Sequence, residues 1–137
     1  MKMNRSNIKW GLAILISASV VSLAANAVDL NGAWANNASV CNKIFEKKNK
    51  TISITRDSDM HGSGFIIDGD RIRGKVATCT VKSRKEDGAM LHLVTSCSTD
   101  VALSTVQISL KIDSENQMTR VFPGIPEMAM PYVRCPL

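Results

Sequence analysis

Asp57-Ser58-Asp59-Met60-His61-Gly62, followed by Asp68, puts acids at positions 1, 3 and 12 of a loop with glycine at position 6. Those are the ligand and bend positions of a calcium loop, because a hard cation takes carboxylate oxygens and a sharp turn needs glycine. Position 5 is His61, a poor ligand for a hard cation, and position 8, normally apolar, is Gly64. No flanking helices are predicted, so Asp57, Asp59 and Asp68 read as turn residues and no metal is assigned. Met128 and Met130, with His61 and His92, are the residue types of a copper(I) site, since thioethers suit a soft ion. Two methionines at i and i+2 are equally what one strand face puts into a core, and core packing is the reading adopted. No serine lies in a nucleophile elbow. The carboxylates Asp68/Asp70 and Glu86/Asp87 belong to turns that explain them. No catalytic residue, enzyme activity or cofactor is therefore expected.

The chain opens with Lys2, Arg5 and Lys9 and no acid, continues apolar from Trp10 to Ala24, and reaches Ala25-Asn26-Ala27. That order predicts a secretory signal peptide over 1–27, cut after Ala27, and a periplasmic or secreted protein. A membrane anchor is the competing reading, but the apolar run falls short of the roughly 20 residues a spanning helix needs. The mature form is expected to have no membrane span. Whole, the chain carries 17 basic and 12 acidic residues, +5 net; without the leader's three basic residues the balance is +2. No basic cluster interleaved with aromatics remains, so nucleic acid is not an expected partner. Lys47-Lys48-Asn49-Lys50 reads as a solvated turn.

Residues 28–137 are enough for a single domain with one modest core. All four cysteines, Cys41, Cys79, Cys97 and Cys135, lie within it, and none forms a Cys-x-x-Cys pair. An even count in a small exported domain implies a disulfide framework rather than a metal site. Three connectivities are possible; Cys79–Cys97 with Cys41–Cys135 is favoured, because the first pair lies on adjacent strands and the second ties the first loop to the last strand.

Those strands are read from alternation and turn chemistry. Phe65–Ile67, Asp68-Gly69-Asp70 and a long run from Arg71 to Arg84 begin a meander, and Lys85-Glu86-Asp87-Gly88 turns it into Ala89–Cys97. A turn centred near Glu86-Asp87 sets Cys79 opposite Val94, so a bulge is needed, and a change of parity places it near Ala77. Leu30–Trp34, Thr51–Thr55, Val106–Ile112, Met118–Phe122 and Met130–Cys135 complete about eight strands, and Pro123–Pro126 must be loop. Asn37–Lys47 is the candidate for one short helix, with Val40, Ile44 and Phe45 on one face. The expected fold is all-β: a small antiparallel meander barrel stapled by disulfides.

Gly32-Ala33-Trp34 at the first strand, with Arg134 near the last, resembles the G-x-W signature of the calycin barrels: lipocalins, avidins and the periplasmic inhibitors of serralysin-type proteases. The resemblance implies a barrel end closed by Trp34 beneath the Arg134 cation. The chain also resembles exported proteobacterial proteins with an L-x-G-x-W start and a terminal R-C. Three functions follow as expectations. A monomeric binding module that blocks a periplasmic or secreted hydrolase stands first. A small-molecule carrier of the calycin type and an envelope structural or stress protein stand behind it. Phe45, Phe65, Phe122 and Tyr132 are few aromatics to line a cavity as well as a core.

Overall fold

The computed structural model describes residues 27–137. The expected leader therefore lies, except for Ala27, outside the described residues. Eight antiparallel strands close into a barrel, in the order β1 (Gly32–Ala35), β4 (Gly64–Asp68), β5 (Arg71–Arg73), β6 (Thr78–Asp87), β7 (Met90–Ser98), β8 (Leu103–Ser114), β9 (Gln117–Val121) and β10 (Met130–Arg134), with β10 returning to β1. Seven strands run as a meander, and β1 pairs with β4 on one side and β10 on the other. Between β1 and β4 the chain leaves the barrel as α1 (Cys41–Ile44) and the hairpin β2 (Phe45–Lys48) and β3 (Thr51–Ile54).

The barrel matches the expected class, but its eight strands are not the eight read from the sequence. The run Arg71–Arg84 is two strands. Gly74 N–H donates to Ala77 O (2.8 Å) and folds Gly74–Ala77 into a turn, leaving Val76 in solvent. Thr51–Ile54, counted earlier as a barrel strand, belongs to the outer hairpin. The helix is shorter than Asn37–Lys47: a 3-10 turn over Ala38–Val40 leads into α1, and Phe45 is already extended at φ −118° and ψ 148°. Phe45, Glu46, Lys47 and Lys48 pair with Ile54, Ser53, Ile52 and Thr51, so cross-strand pairing outcompetes the helical face of Val40, Ile44 and Phe45.

Register in the longest hairpin also differs from expectation. Asp87 pairs with Met90, so the turn is Gly88-Ala89, with Gly88 at φ +58°, rather than Glu86-Asp87. The bulge lies between Val81 and Ser83, not near Ala77. That single extra residue, Lys82, brings Cys79 opposite Cys97; an unbulged ladder from the same turn would set Cys79 against Ser98. The structure joins Cys79 to Cys97 and Cys41 to Cys135.

Two apolar cores share the wall formed by β1 and β4. Trp34, Ile67, Leu91, Leu93, Leu110 and Met118 fill much of the barrel interior. Ala33, Ala35 and Ile66 point outward, under Cys41, Ile44 and Phe45. The small alanines let α1 lie close on the wall, and Gly64 lets it lie closer still. A Cβ at Gly64 would stand 2.7 Å from Phe45 Cζ, 2.9 Å from Trp34 O and 3.0 Å from Ile44 Cγ2. Gly64→Ala is accordingly expected to lower stability by about 1–3 kcal/mol through overpacking, read as a fall in the urea midpoint. An unchanged midpoint would contradict this packing.

Candidate functional site

The two ends of the barrel differ. At one end lie the turns Gly69-Asp70, Gly88-Ala89 and Glu115-Asn116, with the chain entering at Leu30 and leaving at Cys135. Trp34 and Arg134 meet here. Trp34 is fully buried and its Nε1–H donates to Leu30 O (2.9 Å). The Arg134 guanidinium lies 4.5 Å over the Trp34 ring and donates to the carbonyls of Asp29 (2.6 Å), Glu115 (2.8 Å) and Asn31. A cation over an indole face gains electrostatic energy from the ring quadrupole. The same guanidinium clips the entering chain to the turn before β9. Trp34 and Arg134 thus pack together where the chain enters and leaves the barrel.

The other end carries Asn36, Ser63, the turns 74–77 and 99–102, and the loop 122–129. It opens into a cavity of about 250 Å³ inside the strands. Phe65, Ile67 and Ile72 line one wall, the Cys79–Cys97 bridge the next, and Val106, Ile108, Leu110 and Tyr132 the others. Phe65 and Tyr132 meet edge to face at 4.8 Å. Two further pockets, of about 260 and 270 Å³, flank the entering chain at Val28 and Leu30, and the second is lined in part by the interior side chains Ile67, Ile72, Val81, Leu91 and Leu93.

One charged side chain enters the cavity. Alternation along β9 puts Met118 and Arg120 on one face, and Met118 is wholly buried in the interior core. Arg120 pairs in register with Leu110 and Met130, and its guanidinium sits 4.8 Å over the Phe122 ring. Ion pairs among the described residues are Lys48–Glu46, Lys75–Asp59, Arg84–Glu86 and Lys111–Asp113; none involves Arg120. Around the opening stand the exposed apolar side chains of Met60, Val76, Val101, Ile125 and Met128 on loops and of Leu103 at the start of β8. Val101 is 93% exposed, and only Val28 and Leu137 among the exposed large hydrophobics lie elsewhere.

The residues singled out for metal chemistry are dispersed. Asp57 and Asp59 flank and enter the 3-10 turn Ser58–Met60 near the open end, and Asp59 faces Lys75 at 3.7 Å. Asp68 ends β4 at the opposite end, roughly 13 Å along the strand from Gly64 at 3.3 Å per residue. Among the described residues no group of three or more His, Cys, Asp or Glu side chains is gathered as a metal ion requires. Met130 packs against the interior core, whereas Met128 sits exposed in the 3-10 turn Pro126–Met128, so the two do not share a strand face. His92 lies on the outer face of β7, with Nδ1 2.9 Å from Ser109 Oγ across the ladder to β8. A nucleophile and base at that distance need a third group to orient the base and donors for an oxyanion. None of the carboxylates bonds His92 in the structure, and Ser109 is buried in the sheet.

No family model, curated protein or solved structure matches the chain.

Among the described residues no helix is long and apolar enough to cross a membrane. Sequence reading missed Arg120 and the cavity. The available signal was the spacing of Met118, Arg120 and Phe122, which puts an arginine on the inward face of a strand.

Proposed function

We propose that this is an exported, non-catalytic binding protein that carries a small apolar molecule in the open end of its barrel. The observation that carries the reading is the apolar cavity inside the strands, which opens at the end away from Trp34 and Arg134 through a rim of exposed aliphatic side chains. Ligand sites are concave and mostly apolar, with few polar groups, and barrel mouths are a common place for them. The scarcity of aromatics weighs less than it did, because aliphatic side chains and the Cys79–Cys97 bridge form most of the lining. The two disulfides fit an oxidising compartment.

The neutral dye N-phenyl-1-naphthylamine tests the reading. One molecule per chain is expected to bind saturably, its phenyl ring in the cavity and its naphthyl ring against the aliphatic rim, with a rise in fluorescence, and Val106→Trp, which fills the cavity, is expected to abolish the signal while retaining the β-type circular dichroism. Absence of saturable binding to the native chain ends the carrier reading. A second reading, in which the same end blocks a periplasmic or secreted hydrolase, is favoured by the exposed rim. It requires that a molar excess of protein slow a serralysin-type protease or a lysozyme; unaltered rates dispose of it for those enzymes.

A further inference from the structure

Resting on the carrier reading, we infer that the ligand is an amphipathic anion: a short apolar tail bearing a carboxylate or phosphate head that Arg120 receives at the mouth of the barrel.

An arginine on the inward face of a small barrel needs explanation, since a charge facing an apolar interior is costly unless it is paired or hydrated. The molecule's other partly inward arginine, Arg134, has its donors occupied by the carbonyls of Asp29, Asn31 and Glu115. Arg120 has no such partners: neither a carboxylate nor a carbonyl of the described residues receives its guanidinium. Nor is it sealed off. Among the described residues no fully buried side-chain nitrogen or oxygen lacks a hydrogen bond, so the unpaired guanidinium stands where solvent or ligand can reach it.

Its position is nevertheless held. Its Cζ lies 4.8 Å from the Phe122 ring centroid, a cation–π contact that holds the side chain at the mouth while its donors have no protein partner among the described residues. A planar fork held in this way suits two-oxygen recognition of a carboxylate or phosphate. Below it, Ile72, Val106, Ile108, Leu110 and Phe65 offer no group that could pair with a second charge. Charge at the mouth and hydrocarbon beneath define a ligand with its charge at one end. A cavity of about 250 Å³ limits the tail. At about 30 Å³ per water-sized unit it admits about eight non-hydrogen atoms, the size of an octyl chain.

Displacement of N-phenyl-1-naphthylamine by octanoate, octyl phosphate and octan-1-ol, on the native chain and on Arg120→Gln, tests the inference. On the native chain at least one anion is expected to bind roughly tenfold more tightly than the alcohol, as a charge-assisted pair at a half-exposed site allows. Whichever anion binds more tightly identifies the head group as carboxylate or phosphate. In Arg120→Gln both anions are expected to fall to the affinity octan-1-ol has for that same variant. If octan-1-ol equals both anions on the native chain, or Arg120→Gln keeps the preference, the inference is overturned and the carrier reading stands. If neither the dye nor any of the three ligands binds, both fall. Should Arg120→Gln not fold, raising NaCl from 50 to 500 mM decides on the native chain: weakening of octanoate or octyl phosphate, but not octan-1-ol, supports the inference, and equal behaviour of all three overturns it.

Discussion

Cys41→Ala/Cys135→Ala is expected to lower the melting temperature by roughly 15–20 °C, a larger fall than removal of the other bridge. The bridge spans a sequence separation of 94, against 18 for Cys79–Cys97. On the chain-entropy account, closing those loops restricts the unfolded chain by about 4.7 and about 3 kcal/mol respectively. The larger figure is comparable to the whole stability of a marginal domain. The two bridges also do different structural work. Cys79–Cys97 links strands already joined by a ladder and a turn, whereas Cys41–Cys135 fastens α1 and the outer core to the chain just beyond β10. Its loss should therefore loosen the outer layer first. Amide exchange is expected to accelerate over residues 38–54 and to change little in β7 and β8. Calorimetry of the two double variants decides the matter. A fall no greater than that of Cys79→Ala/Cys97→Ala would mean that the long loop is not what the bridge restrains.

Trp34→Ala is expected to cost about 3–5 kcal/mol, the range for a large buried aromatic truncated where the surroundings cannot collapse. Collapse is blocked here because Trp34 lies between two ladders, in register with Phe65 on β4 and Arg134 on β10. The change also removes the donor to Leu30 O and the face beneath the Arg134 guanidinium. Arg134→Met, which keeps much of the stem, removes only the cation and its bonds to backbone carbonyls, and a smaller loss of about 1–2 kcal/mol is expected. Because the two side chains touch, their losses should not add. The double variant is expected to fall short of the sum by about 0.5–1 kcal/mol, the scale of a cation–π contact. Urea titrations of the two single variants and the double variant measure this directly. Strict additivity would show that the stacked geometry contributes no energy of its own.

The spacing of Gly32, Trp34 and Arg134 is legible in the sequence, and the structure packs Trp34 and Arg134 together where the chain enters and leaves the barrel. The open end was harder to read. Arg120 belongs to Gln117–Val121, a short strand whose polar and apolar residues alternate imperfectly, and nothing local marks its side chain as unpaired. Whether an arginine has a partner depends on which strands stand opposite, and here those are β8 and β10. The rim was invisible for a similar reason. Met60, Val76, Val101 and Ile125 lie far apart in sequence, each an ordinary loop residue alone, and only the alternating direction of the strands brings them to one end.

Alternation of side chains, Asp-Gly turns and an even set of cysteines were enough by themselves to point to an all-β, antiparallel, disulfide-stapled domain, because each is a short-range property written in neighbouring residues. Tertiary structure alone decided that β1 closes the barrel between β4 and β10, that Thr51–Ile54 stands outside it, and that Lys82 bulges to set Cys79 opposite Cys97. It alone decided that the interior keeps a cavity with an unpaired arginine at its mouth. These depend on which distant strands meet and in what register, and pairing across that separation is selected by the free energy of the whole closed sheet rather than by any segment of it.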